Sequence, residues 1–382
     1  MLKRSVFSRL VCLGFLINIG SAHAQSSMTL YGIMDYTFLG YIKTDQGGVW
    51  GNLAGSRWGL KGTEDLGGGL STVMQLENGF NAANGKLGSN NTLFNRQARF
   101  GLNSTTWGTV TFGRQYDASV DMVQAISADN YGSAFTTPGD VDNNDNSLRQ
   151  SNSVKYVSPS FAGWRVEGTY GFSGLAGHIG QGYSYSGGIS YNQGPLGVAA
   201  SYFQATNPST ATGAARTGWV GSSADSLFDG GSINNAYQSA HTLAIAQIGT
   251  QYVWQKLTVG GSYSHSAFRP DGESTYATTE QFNNGKAFVA YQFAPAFMMV
   301  AGYAYTAASG DTSAKYNQAS LGADYLLSKR TDIYLQAAYQ RASGTQRLAN
   351  GGTQAAKATI GSYGTDGAAS QTLLQVDLRH RF

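Results

Sequence analysis

Among its 382 residues the chain has one cysteine, Cys12, and six prolines, and charged side chains take only 12% of its positions. A single thiol cannot build a disulfide framework, and it supplies no cysteine-rich metal site. Long apolar runs are also missing. After residue 24 no stretch approaches the ~20 residues that a spanning helix needs, which excludes a helical membrane protein.

Charge of one sign is lacking too. The formal charge of +3 comes from the first 24 residues, where Lys3, Arg4 and Arg9 stand without an acidic residue; beyond them 22 Lys and Arg balance 22 Asp and Glu. A neutral chain gives no support to nucleic-acid binding or to electrostatic attachment to a membrane surface. Catalytic signatures are likewise missing. No GxSxG, HExxH or GxxxxGK[ST] pattern occurs. His178, His241, His265 and His380 are far apart with no metal-ligand spacing, and Ser264-His265-Ser266 would put neighbours on opposite faces of a strand. The expectation is a protein that is not an enzyme and carries no metal or cofactor.

What the chain does have is glycine, 51 residues, with 23 tyrosines and 18 phenylalanines. Abundant glycine and aromatics without a helical period point to an all-β protein. The N-terminus reads as a secretory signal peptide over 1–24: Lys3, Arg4 and Arg9, an apolar run from Leu10 to Ile19, then Ser21-Ala22-His23-Ala24 before a cut at Gln25. The following residues, 25–382, read as one domain.

Two-residue alternation then recurs. Leu30, Gly32, Met34 and Phe38 oppose Tyr31, Asp35 and Thr37 near the start, and Leu374, Val376, Leu378 and Phe382 oppose Gln375, Asp377, Arg379 and Arg381 at the end. Similar segments fall at 56–65, 70–80, 93–104, 109–116, 153–158, 164–173, 186–193, 197–206, 240–254, 257–268, 285–293, 297–307, 317–327 and 331–342. The 240–254 segment slips phase near Gln247, which predicts a bulge. Sixteen strands follow, an even number, joined alternately by short and long connections, with both termini on the short side. That is the pattern of a transmembrane antiparallel β-barrel with short periplasmic turns and long outer loops. The longest uninterrupted connection rich in acid is 116–152, with Asp117, Asp121, Asp129, Asp140, Asp142 and Asp145; a loop of that length in a compact fold is functional or disordered.

Several motifs resemble one family. Ser27-Met28-Thr29-Leu30-Tyr31-Gly32, Ser56-Arg57-Trp58-Gly59-Leu60-Lys61-Gly62-Thr63-Glu64-Asp65-Leu66-Gly67, Asn95-Arg96-Gln97-Ala98, Trp107-Gly108-Thr109-Val110-Thr111-Phe112-Gly113-Arg114-Gln115, Asn152-Ser153-Val154-Lys155-Tyr156 and the terminal Asp377-Leu378-Arg379-His380-Arg381-Phe382 are similar to those of the trimeric general porins of Gram-negative outer membranes. The form is that of β-proteobacteria, of the Neisseria and Burkholderia kind. The resemblance implies a homotrimer in outer-membrane lipid, passive diffusion of ions and small hydrophilic solutes, a third loop folded inward as the constriction, and Phe382 as the assembly signal. It departs from the family mainly in 207–239 and 343–370.

Strand parity puts Arg57, Lys61, Glu77 and Arg99 on the water-facing side, because a charge on the lipid face near the midplane costs ~2–4 kcal/mol. Arg114 shares its phase with Phe112, so it reaches the lumen only if Gly113 hosts a bulge. The expected constriction therefore sets the loop aspartates, Asp117 and Asp121 among them, and Glu77 against Arg57, Lys61, Arg99, Arg114 and Arg149. A barrel dedicated to one sugar, an adhesin or a barrel enzyme are the alternatives; the loop offers only Tyr116, Tyr131 and Phe135 for stacking on sugars.

Overall fold

The computed structural model describes residues 26–44, 47–49, 55–88, 92–216, 232–363 and 368–382. The expected signal peptide lies outside them. Sixteen long strands are present: β1 (Ser27–Thr44), β2 (Arg57–Gly67), β3 (Leu70–Gly79), β4 (Gln97–Ser104), β5 (Gly108–Gln115), β6 (Gln150–Val157), β7 (Trp164–Gly171), β8 (Ser184–Gln193), β9 (Leu196–Thr206), β10 (Thr242–Trp254), β11 (Leu257–Arg269), β12 (Glu280–Ala294), β13 (Phe297–Ser309), β14 (Lys315–Leu326), β15 (Thr331–Ser343) and β16 (Ser370–Arg381). Each pairs antiparallel with its predecessor, and β16 pairs with both β15 and β1, so the sheet closes. Closure matters physically. In hydrocarbon no unpaired N–H or C=O is affordable, and a closed barrel has no edge.

The alternation is visible in burial. Along β12, Asn284, Lys286, Phe288 and Ala290 are buried inward while Val289 and Tyr291 are exposed outward. The outer face of β1 carries exposed Met28, Leu30, Met34, Tyr36 and Phe38. The start of β1 and the end of β16 lie at the short-turn end: Ser27 is opposite Thr63, and Phe382 exchanges two backbone hydrogen bonds of 3.1 Å with Gly32. Expected boundaries shift where the phase breaks. β1 runs on to Thr44 through a register irregularity between Thr37 and Leu39.

The bulge expected near Gln247 is absent: β10 keeps its register through Ser201↔Gln247 and Gln247↔Ser264. The apparent slip has another cause. Leu243 and Ile245 point inward and are fully buried because they meet protein rather than water. Residues 232–240 and 353–363, with Tyr276, pack down into the mouth of the barrel. Ile233, Tyr237, Tyr276 and Ala358 there form one apolar core with Phe203, Leu243, Ile245, Phe268, Phe282 and Tyr316 of the wall. Tyr237 meets Phe268 and Tyr276 at ring separations of 5.5 and 5.0 Å. The inward apolar residues of β9–β15 are the floor of this core, which also explains why the start of β12 at Glu280 is hidden from a simple polar-in, apolar-out reading.

Candidate functional site

The connection between β5 and β6 turns into the barrel. It is built from one short π-helical turn, Ser119–Val123, and four 3₁₀ turns ending at Pro138–Asp140. Short turns of this kind leave many backbone donors without ladder partners, and the loop's own carboxylates take them. Asp117 accepts from the N–H of Ser119 at 2.7 Å and of Val120 at 3.3 Å, and Asp140 from the N–H of Asp145 at 2.8 Å and of Ser147 at 3.2 Å. Burial pushes the carboxyls of Asp117, Asp129 and Asp145 above the usual range and that of Asp140 well above it, against the lowering effect of these bonds.

The loop is pinned to the wall formed by β8–β15. Lys286 of β12 sends its Nζ to both oxygens of Asp129 at 2.8 Å and to Asp142 Oδ2 at 3.4 Å. Ser264 donates to Asp142 at 2.6 Å, and Gln318 and Gln336 bond the backbone of Ala134 and Tyr131 at 2.9 and 3.0 Å. Phe135 lies against Gly302, where a Cβ would stand 2.9 Å from its ring. Attachment on this side leaves the lumen open on the other.

The opening is a cavity of about 800 Å³ under the loop, walled by β1–β5 and also by Met298, Asp324, Tyr334, Gln336 and Arg379 of β13–β16. Arg57, Arg96 and Arg114 line it from the wall side and Arg149 from the root of the loop. Arg96 Nε is 2.8 Å from Glu77 Oε1, and Glu77 also accepts from the Tyr31 hydroxyl at 2.8 Å. The guanidinium groups of Arg96 and Arg149 lie 5.9 and 5.3 Å from the centre of the Tyr116 ring, close enough for cation–π attraction to restrain both. Arg114 reaches the cavity as the Gly113 reading required: the register shifts between Gly113 and Gln115, Gly113 has φ 120°, and the side chain donates to Asn95 O at 2.7 Å and Ser151 Oγ at 2.8 Å.

Three expectations need correction. Asp117 does not face the arginines; it is fully buried, and Asn143 donates to its second oxygen at 2.6 Å. Asp121 is in contact with Lys155 and lines a different cavity. Lys61 and Arg99 face inward but sit nearer the short-turn end than the main opening: Lys61 lies 4.3 Å over the Tyr31 ring, and Arg99 donates to Gln75 Oε1 at 2.7 Å. Parity separates inside from outside but carries no information on depth along the strand. Arg96 and Lys286 were missed for related reasons, since Arg96 precedes β4 and Lys286 becomes significant only when a loop 144 residues away in sequence lies on it.

Comparison with known proteins agrees with this architecture. Residues 19–345 match the family described as Gram-negative porin. The chain is 30% identical to an outer membrane porin protein of Bordetella pertussis, with 89% of this chain and 94% of the relative covered. It is also 30% identical to outer membrane porin protein 32 of Delftia acidovorans, with 98% and 99% covered. Among solved structures it resembles an anion-selective porin from Comamonas acidovorans, at TM-score 0.67 and 22% identity over 94% of this chain and all of the other. A trimer form of OmpT from Vibrio cholerae is similar at TM-score 0.67 and 17% identity, over 94% and 99%. The chain belongs to the Gram-negative porin family and is a diffusion channel of the outer membrane.

Proposed function

We propose that this channel is a homotrimeric general porin with a preference for small anions, and that Arg57, Arg96, Arg114 and Arg149, with Glu77 behind Arg96, form its narrow part. The observation that carries the reading is the unequal treatment of the two charge signs. Asp117, Asp140 and Asp142 are buried and spent on loop N–H groups or on Lys286; of the acids that also line the cavity, Asp129 is held by Lys286, Asp145 by Ser133 and Ser362, Asp35 by Tyr334 and Asp324 by Arg379, whereas Arg57, Arg96, Arg114 and Arg149 border the open space. A solute at the opening meets guanidinium groups, and a narrow low-dielectric lumen focuses their field. The anion selectivity of the Comamonas porin is consistent with this. The trimer is supported by the exposed apolar row on β1, by Phe100 and Phe112 on the neighbouring outer face, and by the trimer form of the Vibrio protein.

The test is the zero-current potential across a planar bilayer in a salt gradient. Arg57→Ser with Arg114→Ser is expected to move it toward cations, most at low salt where the Debye length reaches ~30 Å at 0.01 M. Asp117→Asn should leave it in place because that carboxylate is hidden. An unchanged potential in the double arginine variant, with the trimer still assembled, would sink the assignment.

A further inference from the structure

A second cavity of about 500 Å³ lies on the short-turn side of the inward loop, away from the arginine-lined opening. Its position follows from its walls: Val157 and Arg165 flank the turn between β6 and β7, and Asn192 and Gln251 stand just before the next two short turns. The loop forms its roof through Asp121 to Ile126, where Ala125 is exposed to the space.

The charges are arranged unevenly. Lys155 is held between two carboxylates, 2.9 Å from Glu167 Oε1 and in contact with Asp121. Arg99 donates to Gln75. Arg165 is exposed, and its guanidinium has no hydrogen-bond or ion-pair partner among the described residues. Three cations against two carboxylates leave the cavity one positive charge in excess, and with Arg99 held on the amide of Gln75, Arg165 is the cation that faces the open space. Beside this charge lies an apolar surface of Ala125, Ile126 and Val157.

We propose that this cavity is a subsite for amphipathic monocarboxylates, whose carboxylate pairs with Arg165 while a small apolar body rests against Ala125, Ile126 and Val157. A guanidinium presents two parallel donors to a carboxylate, and such charge-assisted pairs are the strong ones. The net excess of one positive charge matches a monoanion, and a dianion would meet the carboxylates of Asp121 and Glu167. A volume of this size is ordinary for a small-molecule site. A weak site on the path gives a permeating solute a resting place beyond the narrow part, and conduction requires such sites to hold loosely.

The inference rests on the channel reading, and it is tested on the full-length protein in planar bilayers in KCl with benzoate added on the short-turn side. A saturable fall in the mean chloride current is expected for the wild type, with acetate, which lacks the apolar body, far less effective. Arg165→Gln should weaken the apparent benzoate affinity about tenfold or more, the scale of a lost charge-assisted pair. Ala125→Asp, at an exposed loop position, should do the same by placing a carboxylate on the apolar roof, and it decides the matter if Arg165→Gln does not assemble. Benzoate block that both variants leave unchanged, no block at all in the wild type, or equal block by acetate overturns the subsite. The zero-current potential of the wild type in KCl is read in the same experiment, so a channel without anion preference is recognised separately from a channel without the subsite.

Discussion

Lys286 holds the inward loop as a fully buried cation that meets two of its carboxylates. Its side chain is 1% exposed, those of Asp129 and Asp142 are 0%, and the three groups lie within 3.4 Å. Replacing it by methionine keeps the volume and removes the charge. Breaking a buried pair by deleting one partner costs about 3–5 kcal/mol, because the remaining ion is left uncompensated. Against that loss stand the loop's other anchors. The bonds from Ser264, Gln318 and Gln336, three among these anchors, contribute about 1 kcal/mol each. Loss of Lys286 therefore removes a quantity comparable to those three together, and Lys286→Met is expected to loosen the loop against the wall while the strand ladder stays intact.

The effect has a definite pH sign. Burial already raises the Asp129 carboxyl, with Lys286 as the main lowering influence. Without the lysine the folded value rises further above the unfolded one. A carboxyl raised in this way favours the pinned loop below its ordinary range, near 4, and that contribution is lost as the pH climbs through the raised value. Single-channel records of Lys286→Met should thus be quiet near pH 4 and noisy, with altered conductance, at pH 8, while the wild type is quiet at both. Asp129→Asn added to Lys286→Met should calm the pH 8 trace by removing one uncompensated charge. A variant that matches the wild type in noise and conductance at pH 8, with the trimer assembled, would refute the view that this ion cluster pins the loop.

Other consequences follow from the seam, the terminus and the cap. Gly32→Val should impair closure, since a Cβ at Gly32 would stand 2.7 Å from the carbonyl oxygen of Arg57 and overlap the Phe382 ring; the heat-modifiable band of refolded protein should be reduced, and a normal yield would count against the reasoning. Deleting Phe382 removes both backbone bonds to Gly32 as well as the expected assembly signal, so outer-membrane levels should fall, and normal surface levels would be incompatible with that role. Tyr237→Ala should cost about 3–5 kcal/mol of cap stability by emptying the centre of its aromatic cluster. Faster proteolysis within 232–240, with the barrel band unchanged, is the expected readout, and equal cleavage rates would contradict it.

How far the sequence could be read depends on which side of the wall a residue faces. Lipid is a uniform environment, so outward positions such as Leu30, Met34 and Ile248 obey a two-residue rule that survives without knowledge of anything else in the chain. Sixteen strands, their order and the sorting of loop lengths were legible for that reason. The inward environment is not uniform. Lys61 faces water near one end, whereas Leu243, Ile245 and Phe282 face a packed cap and Phe288 faces the loop. Polarity on the inner face therefore reports whether a loop has folded down over that spot, and no local pattern encodes this. The carboxylates show the same limit: a run of six aspartates between basic strands reads as an acidic wall, yet their short side chains first satisfy the donors that a tightly turned loop leaves free, and only then do they face the lumen. Arg57, Arg114 and Arg149 were recoverable because their side chains are long, cannot lose their charge, and have no place in lipid. On the proposed reading, the field in the opening is set by which sign the loop consumes internally.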